Sequence, residues 1–278
     1  MTEDLLEYEF WDQEQNYYQK FFGLIFPNDL NTIRSAIAKK INDIKKEELN
    51  WLDIGTGDGW TLSNILDRVP NKKINLFIIE PSEFTVDTLK KRLESYKNVT
   101  FNIITKKFDS ELIKDKVFDC ATIMHACYYL ADHKEEYQAI YQDIYKSLNK
   151  NGFLLIQNIA DDSDFQVLGN KPYVNWALGD TTFNYLQELW GSNVDFEKYP
   201  IRFEVTEYLD ELSKKIQIEL VHLDRFVCQK DKAILSFQQI KHFQDQVKAL
   251  AIFDQGKSYL DFKDCLVIAN NPKIDIIS

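Results

Sequence analysis

The 278 residues are 45% hydrophobic, 28% charged and 14% aromatic, enough to bury one large α/β core with or without a modest appendage. A net charge of −11, with the lysine pairs (Lys39-Lys40, Lys72-Lys73, Lys90-Lys91, Lys106-Lys107, Lys214-Lys215) scattered among acids, argues against a nucleic-acid partner, which needs a clustered basic face. No apolar run is long enough to span a bilayer and the acidic start Met-Thr-Glu-Asp is unlike a signal peptide, so neither membrane nor secretion is expected. Cys120, Cys127, Cys228 and Cys265 form no CxxC pair, and three of them sit in apolar strand-like runs, which suits a reduced, cytoplasmic setting.

In chain order, residues 1–27 form an aromatic, acidic segment expected to be helical and to end at Pro27, and Asp29–Lys46 repeats apolar residues at helical spacing (Leu30, Ile33, Ile37, Ile41, Ile44). Strands and helices then alternate, the signature of a parallel α/β sheet. The strands are Asn50–Ile54, Ile74–Ile79, Val99–Ile104 and Phe118–Met124; the helices are Trp60–Val69, Ser82–Tyr96 and Lys134–Leu148. The turn 149–152 follows, where Asn151 and Gly152 suit the left-handed conformation, and a fifth strand runs to about Asn158. From Asp161 to Ser213 the rhythm breaks into aromatic-rich loop and helix (Phe165, Tyr173, Trp176, Phe183, Tyr185, Trp190). A strand near Ile216–Cys228, a helix near Asp231–Phe253 and a last strand at Asp264–Ala269 close the chain. The expected organisation is one domain, 1–278: N-terminal helices covering the site (1–48), a ligand-binding core (49–160), a lid or substrate insertion after strand five (161–213) and a closing strand–helix–strand (214–278).

The most informative stretch is WLDIGTGDGWTL, Trp51 to Leu62, in which a strand runs through Asp53 into Gly55, Gly57 and Gly59 and a helix begins. Glycines at such a turn permit positive φ and let a ligand lie against bare backbone. A dinucleotide site needs G-x-G-x-x-G, but here the third glycine comes one position early and Trp60 takes its place. Asp53 and Asp58 would repel a diphosphate, whereas they suit a ligand carrying an ammonium and a sulfonium. No Gly-Lys-Ser/Thr follows, so a P-loop is excluded. Glu80 ends the second strand about 25 residues after Gly55, where an acid can bind ribose hydroxyls.

DIGTGDG and Glu80 together resemble the class I methyltransferases, over most of the chain from about Asn50. The resemblance implies a Rossmann-like α/β fold with a seven-stranded, mostly parallel sheet whose last strand is antiparallel. It implies S-adenosyl-L-methionine as cofactor, held by Asp53, Gly55, Gly57, Gly59, Glu80 and Pro81. Adenine-side residues would fall between Thr105 and Asp109, and Met124-His125 would face the methyl group.

For the methyl acceptor, EPS after strand two, N-V-x-F at strand three, IMHACYYL at strand four and KSYLDFKDCLVIA near the end are similar to the histamine N-methyltransferase branch. The branch's Gln is replaced here by His125, so the resemblance implies a small-amine N-methyltransferase and not histamine specificity. Catalytic roles are expected for His125, Tyr129 and Asp261, and substrate contacts from Tyr18, Tyr128 and Trp176, the tyrosine pair Tyr128-Tyr129 and Asp261 from the resemblance and His125 and Trp176 from their chemistry. An amine must be neutral to attack, and His125, with a reference pKa of about 6.5, can hold or accept its proton. Tyr128 and Tyr129 can wall the cationic sulfonium, each such contact contributing roughly 0.5–2 kcal/mol. The same residues also fit plainer roles: His125 capping the sheet edge, a tyrosine packing on the sheet, the tryptophans filling a lid core. Small-molecule O-methylation with His125 as base remains the alternative, and a non-catalytic binding subunit a third reading. Metal-assisted methylation needs a carboxylate cluster after strand four, and Asp132 is the first acid there, so no metal is expected. His133, His222 and His242 stand apart in sequence, no G-x-S-x-G elbow occurs, and the oligomeric state is left open.

Overall fold

The computed structural model describes residues 27–164, 168, 178–209 and 245–271. The expected strand at 216–228, most of the helix at 231–253 and the segment before Pro27 lie outside them. By internal contacts the chain divides into two compact units, Met1–Leu30 with Ile159–Val174 and Tyr199–Asp264, and Asn31–Asn158 with Asn175–Lys198 and Cys265–Ser278.

Helix α1 (Pro27–Asp43) opens at Pro27, which sequence had placed as the end of the preceding segment. Proline suits a first helical position because its missing N–H has no intrahelical partner to lose. Ile33, Ile37 and Ile41 lie one above the other on the buried face of α1. The alternating elements then follow: β1 (Glu48–Ile54), α2 (Trp60–Leu66), β2 (Lys73–Ile79), α3 (Glu83–Leu93), β3 (Val99–Ile104), β4 (Phe118–Met124), α4 (Lys134–Ser147) and β5 (Leu148–Ile159). α3 begins cleanly because Ser82 accepts from the Thr85 amide, a side-chain cap on an otherwise orphaned donor.

These strands, with β6 (Val194–Tyr199) and β10 (Asp264–Asn270), make a seven-stranded sheet in the order β3-β2-β1-β4-β5-β10-β6. β1–β5 pair in parallel. β10 runs against β5: the Ala160 amide donates to Lys263 while that of Asn151 donates to Asn271, rising numbers meeting falling ones. The fold is thus the Rossmann-like methyltransferase sheet, mostly parallel with one antiparallel strand. Every residue of β4 is buried, which fits its place near the middle of the sheet. β2 flanks β1 on one side and β4 on the other, so connections leave in opposite directions and a crevice opens at the carboxyl ends of β1 and β4.

Two expectations change. The sheet's sixth strand is Val194–Tyr199, preceded by helix α5 (Gly179–Trp190), so the stretch expected to form only a lid supplies the edge of the main sheet. Only Val194 of that strand is buried, and an edge strand without an apolar run leaves little trace in sequence. The turn expected at 149–152 lies inside β5 as an irregularity, with Asn151 at φ 64.

The other unit holds a second sheet, β7 (Arg202–Glu204), β9 (Lys257–Asp261) and β8 (Ile252–Asp254), all antiparallel. β8 replaces the end of the helix expected to reach Phe253. Gln255 (φ 50) and Gly256 (φ 81) form the two-residue turn between β8 and β9, both in the left-handed region that a tight hairpin requires. Arg202 grips Asp29 at the start of α1 through its backbone amide, Nε (both 2.9 Å) and a terminal nitrogen (2.7 Å).

Candidate functional site

The loop after β1 is built by its three glycines. Gly55, Gly57 and Gly59 take φ of 72, 58 and 78°, a region costly for L side chains. Each serves a different purpose. A Cβ on Gly55 would lie 2.3 Å from the Ala126 Cβ, so the turn after β4 packs directly on this glycine. A Cβ on Gly59 would meet Leu89 of α3 at 2.5 Å, whereas one on Gly57 would meet nothing within 4 Å. Gly57 therefore presents open backbone. All three glycine amides are engaged: Gly55 donates to the Ile79 carbonyl (2.8 Å), Gly59 to Thr56 (3.2 Å) and Gly57 to Glu80 Oε2 (2.6 Å).

Glu80 is 5% exposed at the carboxyl end of β2. Its Oε1 accepts from the Ser82 amide at 2.9 Å. A carboxylate has about four acceptor positions, so Glu80 can hold the glycine loop and still receive donors from a ligand. Pro81 follows it, half-buried at the entry to α3.

The loop's other carboxylates are used differently from the expectation. Asp58 accepts from the Trp60 amide (3.0 Å) and pairs with Arg92 of α3 (2.9 Å). Asp53 is fully buried; one oxygen accepts from Thr122 of β4, the other from Thr56 at 2.5 Å. The electrostatic case against a diphosphate, which took both as ligand-facing charges, therefore loses its basis, and Asp53 is placed to act through the loop. Burial pushes the Asp53 carboxyl up to about 6, with the Thr122 and Thr56 hydroxyls pulling it back. An acid whose folded pKa is raised holds its proton more tightly folded than unfolded, so its contribution to stability is present below about pH 4 and lost as pH rises through about 6. The two-unit rise corresponds to about 3 kcal/mol of cost at pH 7. Wild type should thus lose stability relative to Asp53→Asn between pH 4 and 7, read as the difference in urea midpoints. A gap that moves the other way would contradict this.

At the end of β4, Met124 is buried and His125 adopts φ 52, a left-handed conformation that histidine tolerates better than most side chains. Gln157 of β5 holds it twice. The Gln157 carbonyl accepts from the His125 amide (2.9 Å), and the Gln157 side-chain nitrogen lies 3.0 Å from His125 Nε2. With the amide nitrogen donating, Nε2 accepts and the neutral ring's proton sits on Nδ1. Residues 127–129 form a 3₁₀ turn; Tyr129 is half-buried within it, its amide donating to Ala126 (3.1 Å). The side chain of Tyr128 lies outside what the structure describes.

Thr105 and Asp109 are exposed after β3, and Asp109 spends an oxygen on the Glu111 amide (3.0 Å), capping the turn at 110–112. Asp261 belongs to the other unit, at the end of β9. Its amide donates to Asp164 (2.8 Å), its Oδ2 is 4.0 Å from Lys263 Nζ, and its buried Oδ1 has no hydrogen-bond partner among the described residues. Burial raises its pKa, and that of Asp164. Tyr18 and Trp176 lie outside the described residues. One unit thus brings together Asp53, the three glycines, Glu80, Pro81, Met124 and His125. Sequence reasoning missed Thr122, Gln157, Ala126 and Arg92. Thr122 and Gln157 are polar residues inside apolar strands, the one available signal, since a buried polar group needs a partner. Also missed was Arg34 of α1, buried with its guanidinium 4.1 Å from the Trp60 ring centroid.

A seven-stranded sheet of this order, with an open glycine turn after β1 and a buried acid ending β2, defines a class I methyltransferase architecture. Comparison with known proteins agrees. The family described as "Methyltransferase domain" matches residues 29–223, well over half of the chain. The chain belongs to this family of S-adenosylmethionine-dependent methyltransferases. It is 26% identical over 194 residues to malonyl-[acyl-carrier protein] O-methyltransferase 1 of Ilyobacter polytropus, covering 69% of this chain and 61% of that one. The match therefore spans less than two thirds of that relative's length. In fold it is similar to protein BH2331 of Bacillus halodurans C-125 (TM-score 0.53, 16% identity, 86% of this chain and 99% of that one). It is also similar to the plantazolicin methyltransferase BpumL, solved with a triazolic desmethylPZN analog and SAH (TM-score 0.51, 15% identity, 96% and 95%). Among the described residues no group of three or more His, Cys, Asp or Glu could hold a metal ion, and no helix is long and apolar enough to cross a membrane.

Proposed function

We propose that this enzyme methylates a nitrogen of a small amine, with Glu80 and the Gly55–Gly59 loop holding S-adenosyl-L-methionine and His125 handling the acceptor's proton. The residues fit the cofactor: Gly57 offers backbone with open space beyond it, and the buried Glu80 carboxylate keeps acceptor capacity for ribose hydroxyls. When bound, the cofactor supplies a methyl group on a cationic sulfonium, so the protein's main task is to align the acceptor.

The observation carrying the acceptor side is the pairing of His125 with Gln157, next in the chain to Ala126, which packs on the glycine loop. With its side-chain amide turned over, Gln157 offers an oxygen to Nε2–H in both the neutral and the protonated ring, and Nδ1 is then the nitrogen that receives the acceptor's proton. His125 can therefore take up a proton without losing its support. The choice of amine rests on the resemblance of IMHACYYL to the small-amine branch. O-methylation is the second reading, favoured by the O-methyltransferase named among the relatives.

His125→Asn is the appropriate variant, because asparagine also tolerates positive φ. With an accepted amine, its kcat should fall about 10²–10⁴-fold while affinity for S-adenosylhomocysteine stays within about threefold. An unchanged kcat would remove His125 from the chemistry. A panel of amines, phenols and carboxylates decides the acceptor atom: methylated amines support the proposal, and O-methyl products alone would replace it with the second reading.

A further inference from the structure

A buried chain of hydrogen bonds runs from β1 to the glycine loop by way of β4. The Trp51 indole N–H donates to Thr122 Oγ1 at 2.7 Å, and Thr122 donates to Asp53 Oδ1. Thr56, between Gly55 and Gly57, donates to Asp53 Oδ2 at 2.5 Å. Trp51, Thr122 and Asp53 are all fully buried. The order of donors is set by chemistry. An indole nitrogen can only donate, so it occupies an acceptor position on Thr122 and leaves the threonine proton for an acceptor. The competing acceptor, the Leu52 carbonyl, is 3.5 Å away, at the limit of a hydrogen bond, so the proton goes to Asp53.

We infer that Trp51 and Thr122 are positioning residues for the cofactor loop, acting through Asp53 to orient Thr56 and so fix the backbone on which the cofactor rests. The inference rests on the proposed cofactor site and adds to it Trp51 and Thr122, both fully buried. Two observations support it. Without two donors a carboxylate in so dry a position would be poorly tolerated, and it receives both. Those donors come from different elements, one from the sheet and one from the loop, so the carboxylate ties loop geometry to β4, which ends at Met124-His125. Buried networks of this kind order what they connect when every member is satisfied.

The test compares Thr122→Val, which keeps shape and loses the hydroxyl, with Thr122→Ser, which keeps the hydroxyl, and with Thr56→Val at the half-buried end of the chain. Hydrogen exchange at the amides of Gly55, Gly57 and Gly59 is read without cofactor, and affinity for S-adenosylhomocysteine beside it. The expected result is faster exchange and about 5- to 50-fold weaker binding in both valine variants, with Thr122→Ser within about threefold of wild type. Wild-type exchange and affinity in Thr122→Val would overturn the inference. So would a failure of serine to rescue, which would mean that the site needs only the threonine methyl. If Thr122→Val does not fold, Thr56→Val decides alone, and unchanged exchange there overturns the inference. Loosened glycine amides in a protein whose wild type fails to bind S-adenosylhomocysteine would sink the proposed function, and with it the cofactor part of this inference, while the ordering of the glycine loop by Trp51 and Thr122 would stand.

Discussion

Gly55→Ala should abolish cofactor binding and destabilise the protein by about 2–4 kcal/mol, read as the shift in urea midpoint at constant slope. Two costs combine. The new side chain would sit at φ 72 and its Cβ would lie 2.3 Å from that of Ala126. Neither atom is the flexible end of a side chain, so relief requires the backbone of the glycine loop or of the turn after β4 to move. Since Ala126 follows His125, the displacement reaches both halves of the site. Ala126→Gly in the same chain removes the clashing atom and should recover the steric part of the loss, leaving about 1–2 kcal/mol of backbone strain. Gly57→Ala is the contrasting case. It meets no neighbour, so it should cost only that strain yet still lose the cofactor, because its methyl group enters the open space above the loop. Equal stability and binding in Gly55→Ala and wild type would mean that the close approach to Ala126 is not present.

Glu80→Ala should weaken S-adenosylhomocysteine binding by about 10²–10⁴-fold, the equivalent of losing two hydrogen bonds to a charged acceptor. The carboxylate also supports the loop, accepting from Gly57 and Ser82, so some of the loss comes from loop disorder. Glu80→Gln separates the two contributions. Its single carbonyl oxygen can serve the Gly57 or the Ser82 amide but not both, and its charge is gone, so an intermediate affinity is expected. Full affinity in Glu80→Gln would show that neither the charge nor the second oxygen matters.

The strands β1 to β5 and the glycine turn could be read from the chain because their signals are strong and local. Buried parallel strands are short apolar runs, and a turn at positive φ calls for glycine at fixed positions. β6 escaped because Val-Asp-Phe-Glu-Lys-Tyr is an edge strand with one buried residue, and the richer apolar run at 216–228 drew the assignment instead. The sheet of β7, β8 and β9 escaped for a related reason. Its members are three to five residues long, and nothing in a sequence tells that Arg202 will pair across from Asp261. The site shows the same division. Glu80 lies where its place at the end of β2 put it. Asp53 and Asp58 were recognised as loop acids, but composition cannot say that one is sealed under Thr122 and Thr56 and the other taken by Arg92. Two of those partners, Arg92 and Thr122, lie about 35 and 70 positions away, and pairing at that range is fixed by tertiary structure alone.

The central claim is that the glycine loop and Glu80 form a site for S-adenosyl-L-methionine. Its most direct test is calorimetric titration of the full chain with S-adenosylhomocysteine, beside NAD under the same conditions. Saturable binding of S-adenosylhomocysteine, none of NAD, and marked weakening by Glu80→Ala are the predicted results. Binding of NAD in preference, or of S-adenosylhomocysteine equally well with and without the Glu80 carboxylate, would contradict the account.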